Sequence, residues 1–594
     1  MQAITDSLGN AKLDLPRLAK SLHNLRDDDM PDDALVGALR EELDKGGGEV
    51  ILCLHDGPTP DDTRVSLPVP YAQHGSCYTH LLRAAESLNA CVSLQTSTPT
   101  ETTLLVRMMP HTAEDHIEVR IAIVGNVDAG KSTLLGVLTK GMLDDGRGRA
   151  RVDLFRHKHE FETGRTSSVG TEIMGFYADG HSVVDVHPTK VPGRKVAWED
   201  VCGVSAKMIS FIDLAGHERY LKTTVFGMTS CLPDYVILMV GANAGLIGMS
   251  KEHLGIALAL NIPVVVVVTK VDMCPPQVYE NTMRQLHRVL QSPGCRKTPV
   301  SVTSEEMVVE TAMQLPIKRI CPIFTVSNVT GQHLNLLRQF LNLAPSSQAQ
   351  YAPLQSAPVE MPISDVFSVP FVGTVVSGVL TAGVVRTGDA LLLGPDSLGQ
   401  FMPTAVRSIQ RKRVGVECAS AGQSVSFALK RVRRSQVRKG MLLLARTNTA
   451  PSVHREFEAE VLCLYHSTTL SVGSCIVLHA SSIRQTVKIV ALAKQGGVPS
   501  SRTKVALNAA DDTRPVVRMG DRARVRLRFM NMAEYITPGT RLIAREGKTK
   551  LVGMVRSVGA QGTLANARPE RNVLPESGSA GPALHVPTQL SGTA

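Results

Sequence analysis

Apolar residues first fall at helical spacing. In DDALVGALREELDKGGG, Leu35, Leu39 and Leu43 share one face and the glycines supply a stop. EVILCLHD then reads as a strand, YTHLLRAAESLNACV as a second helix and TTLLVRMMP as another strand. Residues 1–115 are therefore expected to form a small mixed α/β domain. After the charged run HTAEDH the pattern changes. VRIAIVG, KMISFIDL, DYVILMVG, IPVVVVVTK and CPIFTVS are near-continuous apolar runs divided by helical stretches, as strands buried on both faces require. Their alternation predicts a doubly wound, mostly parallel sheet over residues 116–346.

APSSQAQYAPLQSAPVEM reads as a linker into an all-β half. Short β-rich runs separated by glycine turns, such as GTVVSGVLTAGVVRTGDALLLG, occupy residues 355–448. The pattern repeats over 454–560 with FEAEVLCLY and RARVRLRF. Two consecutive small β-barrels fit this spacing. Residues 561–594 are rich in Gly, Pro, Ala and Ser and are expected to be disordered.

Composition changes this picture in three places. A chain of 594 residues is too long for one core, which agrees with several domains. No apolar run reaches 18 residues and the first residues lack the order of a signal peptide, so no membrane partner is expected. The eleven cysteines are odd in number and form no C-x-x-C pair, which favours reduced thiols in the cytoplasm over a disulfide frame or zinc site. The net charge of +10 is compatible with a polyanionic partner, and its distribution is uneven. Ten Lys/Arg and one acid, Glu417, lie between Arg407 and Lys439, whereas residues 27–44 hold eight acids and one base. Aromatic residues make up only 4% of the chain, so base-stacking platforms are not advertised.

Four segments carry the chemistry. IAIVGNVDAGKSTLL places Gly125, Asn126, Val127, Asp128, Ala129, Gly130, Lys131, Ser132 and Thr133 between a strand and a helix, matching the full P-loop pattern. Its glycines let backbone N–H groups curl around phosphate, and the helix N-terminus adds its dipole. Lys131 supplies charge to the β- and γ-phosphates and Ser132 a hydroxyl for Mg²⁺. In FIDLAGHERY, Asp213 ends a strand, where its carboxylate reaches Mg²⁺ through water, and Gly216 offers an N–H to a γ-phosphate. In VVVVVTKVD, Asp272 accepts from guanine N1–H and N2–H₂, and Lys270 lies along the base plane. A buried carboxylate left unpaired by the wrong base gives strong discrimination. In FTVSNVTG, backbone N–H groups around Ser327, Asn328 and Val329 can meet guanine O6. Four such elements in this order point to GTP or GDP as the ligand.

GNVDAGKST, DLAGHE, TKVD and the two barrels resemble the translational GTPases, the elongation factor Tu and eukaryotic release-factor relatives. FRHKHEFETGRTSSVG, VTKVDMCP and VSNVTG are most similar to the GTP-binding protein 1 and 2 branch. The resemblance covers roughly residues 118–558 and an N-terminal unit of the kind that branch carries. It implies GTP hydrolysis, Mg²⁺ and a GTP-dependent change of shape read by tRNA or the ribosome, in a monomeric protein. His217 matches the histidine that positions the attacking water, and Asp128 a position linked to a monovalent cation. TGRTSSVGTE, residues 163–172, stands in the place of the first switch loop. There Thr166 matches the metal-binding threonine, and Ser167, Ser168 and Thr171 are the alternatives.

Two departures stand out. Thr269 replaces the usual asparagine of the base motif, keeping a hydroxyl but losing the two-ended amide. Val127 matches one apolar residue that restrains the catalytic histidine, while the other falls at Arg165, a candidate arginine finger. Two other roles remain open: a GTP-dependent adaptor in RNA decay or ribosome quality control, and the GTPase subunit of a metabolic complex.

Overall fold

The computed structural model describes residues 33–55, 65–69, 73–112, 115–155, 157–186, 196–447, 451–465, 470–494, 517–546 and 549–559. The expected disordered tail, 561–594, and the first acids of the 27–44 run lie outside the described residues. Among the described residues, no helix is long and apolar enough to cross a membrane.

The N-terminal unit is a four-stranded sheet of β1 (Glu49–His55), β2 (Val65–Pro68), β3 (Ala90–Ser97) and β4 (Glu101–Met108), in the order β2-β1-β4-β3. Helices Asp33–Lys45 and His74–Ser87 bury Leu35, Leu39, Leu43, Leu81 and Ala84 in one cluster with strand residues Leu52, Leu54, Leu104 and Val106. The second helix is shorter than its apolar pattern predicts. Asn89 takes a left-handed backbone (φ 54°), and ACV beyond it becomes the start of β3.

A seven-stranded sheet follows: β5 (Ile117–Gly125), β6 (Gly170–Phe176), β7 (Lys207–Asp213), β8 (Tyr235–Gly241), β9 (Val264–Thr269), β10 (Thr298–Ser301) and β11 (Ile320–Thr325). Their order is β10-β11-β9-β8-β5-β7-β6, parallel throughout except for β6 at the edge. In β9, Val265 and Val267 enter one core cluster while Val264, Val266 and Val268 enter the cluster on the opposite face. This two-sided burial is why the strand reads as unbroken valine. Each such side chain contributes roughly 1.5–3 kcal/mol. The chain leaves β5 toward β7 on one side and β8 on the other, which opens a crevice at the C-terminal end of β5.

Two closed barrels of six strands complete the fold. In the first, Ala390–Gly394 pairs with Met402–Arg411 to close a sheet that also holds Leu442–Ala445, Glu360–Val369, Gly373–Val379 and Ser424–Leu429. In the second, Glu456–Tyr465 closes against Thr549–Val558. The segment expected to link the sheet to the barrels is packed instead of loose. The Ser347 hydroxyl donates to Asp234, and the Arg120 guanidinium lies 5.9 Å from the Tyr351 ring.

Charged groups fasten the domains together. Glu49 accepts from Arg107 (2.8 Å) and Lys207 (2.5 Å), and Arg107 also reaches Asn342 Oδ1 (2.9 Å), tying the N-terminal unit to the large sheet. At the first barrel, Glu118 pairs with Lys412 at 2.8 Å and accepts from Ser424 N. Burial opposes its ionisation, but Lys412, Arg120 and Arg411 outweigh that and hold its carboxyl well below the usual range. The second barrel docks through Arg545 and Lys550 on Glu252, and through Arg541, which donates to Leu260 O at 2.8 Å.

Candidate functional site

The P-loop leaves the C-terminal end of β5 and turns into helix Lys131–Lys140 through Gly130, whose φ of +80° is left-handed. A side chain there would be strained, which accounts for glycine at this position. Two residues on helix Met249–Ala259 brace the loop from behind. Gly125 N donates to His253 Nδ1 (3.2 Å) and Asn126 N to Ser250 Oγ (3.0 Å). The S-x-x-H spacing sets both on one helical face. Burial, reinforced by Lys131 and Arg545, drives the His253 pKa down to about 3, so the ring is neutral and able to accept.

Lys131 is buried, and its Nζ donates to Asn126 O (2.7 Å) and Gly125 O (3.3 Å). Burial lowers its pKa to about 8, against the opposing charges of Asp213 and Asp128. Gly216 lies across the cleft. A Cβ there would stand 2.4 Å from Lys131 Nζ and 2.7 Å from Gly125 O, so only glycine allows this approach. Asp128 is exposed on the outer turn of the loop, and Thr133 lines the same cleft.

Three oxygen donors converge beside the lysine. Ser132 Oγ donates to Asp213 Oδ2 at 2.8 Å, Thr166 Oγ1 lies 2.9 Å from Ser132 Oγ, and Thr166 also donates to Asp213 Oδ2 at 3.4 Å. Burial raises the Asp213 pKa despite nearby Lys131, and its Oδ1 is buried without a hydrogen-bond partner. Two hydroxyls, a carboxylate and an orphaned carboxylate oxygen form a hard-oxygen set suited to Mg²⁺.

The alternative hydroxyls are engaged elsewhere. Glu160 Oε1 accepts from Ser167 N and Oγ (both 2.7 Å) and from Ser168 N (3.2 Å), and Thr171 belongs to β6. Glu160 was not evident in the sequence, since nothing in HKHEFETG distinguishes it from a surface helical acid. Arg151 was missed for the same reason. It lines the cleft with Val127, Arg165 and His217, its Nη2 3.2 Å from where a Gly164 Cβ would stand. His217 Nδ1 accepts from Arg219 N at 3.1 Å, which leaves the ring proton on Nε2.

The base motif lies at the end of β9. Thr269 Oγ1 is buried and donates to Ala129 O of the P-loop at 2.9 Å. Lys270 has a left-handed backbone (φ 63°), which turns the chain so that Asp272 is exposed on the following 3-10 turn. In the loop after β11, Ser327 Oγ accepts from Val329 N (3.2 Å) and Thr330 N (3.1 Å), while Ser327 N donates to Gln332 O (3.2 Å). Of the three N–H groups expected to meet the base, the one at Asn328 is therefore left available. The structure thus brings the P-loop, Asp213, Gly216, His217, Thr166 and both base-side loops to one crevice.

A P-loop domain followed by two barrels in series is the architecture of a nucleotide-hydrolysing protein of the translational type. Residues 116–346 match the elongation factor Tu GTP-binding domain, and 373–444 match elongation factor Tu domain 2. GTP-binding protein 1 of Xenopus laevis is 47% identical over 529 residues, 88% of this chain and 76% of that one. GTP-binding protein 2 of Mus musculus is 43% identical over 462 residues, 77% of this chain and 72% of that one. The crystal structure of a bacterial selenocysteine-specific elongation factor superposes with a TM-score of 0.51 at 20% identity. That match covers 75% of this chain and 59% of the solved one, and it shows the fold alone. The chain belongs to the GTP-binding protein 1 and 2 family of translational GTPases, and it hydrolyses GTP.

Proposed function

We propose that this GTPase is a cytoplasmic, monomeric switch acting on an RNA-containing partner, aminoacyl-tRNA and the ribosome. The observation that carries the switch is the contact of Thr166 with Ser132 and Asp213, which ties the 163–172 loop to the phosphate site. In this reading the P-loop N–H groups and Lys131 hold the β- and γ-phosphates. Ser132 and Thr166 directly, and Asp213 through water, would hold Mg²⁺, which would neutralise charge on the phosphate oxygens. His217 Nε2 orients the attacking water, and loss of the γ-phosphate frees Thr166 and with it the loop. Asp128 is the position for a monovalent cation beside the phosphates.

The ten cations between Arg407 and Lys439 support the RNA partner by how they divide. Lys412, Arg438 and Lys439 pair with Glu118, Glu534 and Asp365; Arg411 contacts His116; Arg413 covers the Trp198 ring. The other five, Arg407, Lys430, Arg431, Arg433 and Arg434, are exposed. Arg407 lies at a hairpin tip whose Phe371 is fully exposed, donating to Val372 O at 3.0 Å, and the segment carrying Arg431 and Arg433 meets the same hairpin where Thr374 donates to Val432 O at 2.8 Å. Exposed cations beside an uncovered aromatic ring suit a phosphate backbone with unstacked bases.

GTP turnover measured alone, with ribosomes plus aminoacyl-tRNA, and with an RNA-decay complex tests the proposal. Stimulation by ribosomes of at least about tenfold is expected, since partner-completed sites of this kind gain that much or more. Stimulation by the decay complex alone would replace this reading with the adaptor role.

A further inference from the structure

Thr269 leaves the base motif with one hydroxyl where an amide would have two ends. Its single proton is used on Ala129 O, and its other neighbour, Val240 O at 3.5 Å, is also an acceptor. Nothing from Thr269 therefore extends toward a purine. Asn328 comes to the same spot from the next strand. Its Nδ2 lies 3.6 Å, and Thr269 Oγ1 3.5 Å, from the place a Cβ on Gly130 would occupy. Asn328 is 8% exposed, and its Oδ1 is buried without a hydrogen-bond partner. Its backbone is fixed separately, because Asn328 O accepts from Asp144 N at 2.9 Å. A buried amide end with no partner is costly unless a ligand or another chain group meets it.

We propose that Asn328 is a specificity-determining residue that supplies, from the loop after β11, the two-ended amide missing at Thr269. Nδ2 stands beside Gly130 at the edge of the cleft, where it can donate to a purine, while Oδ1 is enclosed by protein. Guanine presents two acceptors, N7 and O6, on one edge, and the Asn328 backbone N–H, which no group among the described residues engages, would be available to O6. Reading of the base is then split: Asp272 takes N1–H and N2–H₂, and the Asn328 amide takes N7.

This inference rests on the guanine-nucleotide reading of the cleft, and the test separates the two. Fluorescent GDP and its 7-deaza analogue, which lacks N7, are titrated against the full chain and its variants. The native protein is expected to bind 7-deaza-GDP about tenfold more weakly than GDP, the worth of one hydrogen bond in a closed site. Asn328→Ala should bind both analogues equally, at about the native affinity for 7-deaza-GDP or below. Asn328→Asp, nearly isosteric but without the donor, should also lose the discrimination, which guards against a packing effect of the truncation. Adding Thr269→Asn to Asn328→Ala should restore preference for GDP, whereas Thr269→Asn alone gains nothing because both amides then compete for the space at Gly130. Equal binding of the two analogues by the native protein, or undiminished discrimination in Asn328→Ala, overturns the proposal. Failure of the native protein to bind any guanine nucleotide would instead overturn the reading on which it rests.

Discussion

At the lysine end of the crevice, Ser132, Thr166 and Asp213 gather beside Lys131, with hydroxyl and carboxylate oxygens 2.8–3.4 Å apart. At the other end, Thr269 has turned inward onto Ala129 O, and Asn328 brings an amide from the loop after β11. The phosphate end must satisfy charge, and few side chains can supply a buried cation or hard-oxygen donors, so residue identity is held. The base end must satisfy hydrogen-bond directions, which an amide meets equally well from either of two adjacent strands. Chemistry fixes residue types at one end and only atom positions at the other.

That contrast predicts a graded set of outcomes. Lys131→Ala should be the most damaging, lowering GTP and GDP affinity by on the order of a hundredfold, because it removes a charged donor from a dry site. Asp272→Asn should lower GTP affinity by roughly a hundredfold too while raising that for xanthosine triphosphate, whose O2 accepts from the new amide. Parallel titrations with the two nucleotides check this, and an unchanged ratio would remove Asp272 from the base site. Thr166→Ala should slow partner-stimulated hydrolysis by about tenfold or more and leave GDP binding near native, since its role needs the γ-phosphate. Ser167→Ala, which loses only a bond to Glu160, should stay close to native in the same assay. Equal effects from the two would mean that the loop, and not one hydroxyl, holds the metal.

The smallest effect is on pH. The Lys131 pKa in the free protein is about 8, below the ordinary 10.5, and bound phosphates favour the charged form. Binding therefore takes up a proton above pH 8, and affinity should fall by up to about tenfold per pH unit there and be flat below it. The sign for folding is opposite: the free protein gains stability as pH rises from 8 toward 10.5, because the unfolded chain holds the proton more tightly. Calorimetry in buffers of different ionisation heat reads the proton uptake directly.

The sequence made the P-loop legible because its glycines, lysine and serine follow a fixed spacing between strand and helix. The sheet was legible because two-sided burial leaves unbroken valine in β9. What could not be read depends on partners far apart in the chain. The run from Arg407 to Lys439 looks uniformly basic, yet Lys412 is drawn inward by Glu118 and Arg438 by Glu534, while Arg407 and Arg431 remain outside. Glu160 resembles any helical acid until the loop folds back and places Ser167 on it. The amide of Asn328 has no local signal, because its purpose lies in what Thr269 lacks.

Single-turnover GTP hydrolysis on ribosomes, comparing the native protein with His217→Ala, tests the central claim most directly. Nδ1 of His217 is already engaged by Arg219 N, so Nε2 is the atom left to place the water. Ribosomes should accelerate the native protein, and His217→Ala should lose that acceleration by roughly a hundredfold while still binding GTP. Undiminished ribosome-stimulated turnover in His217→Ala would contradict that claim.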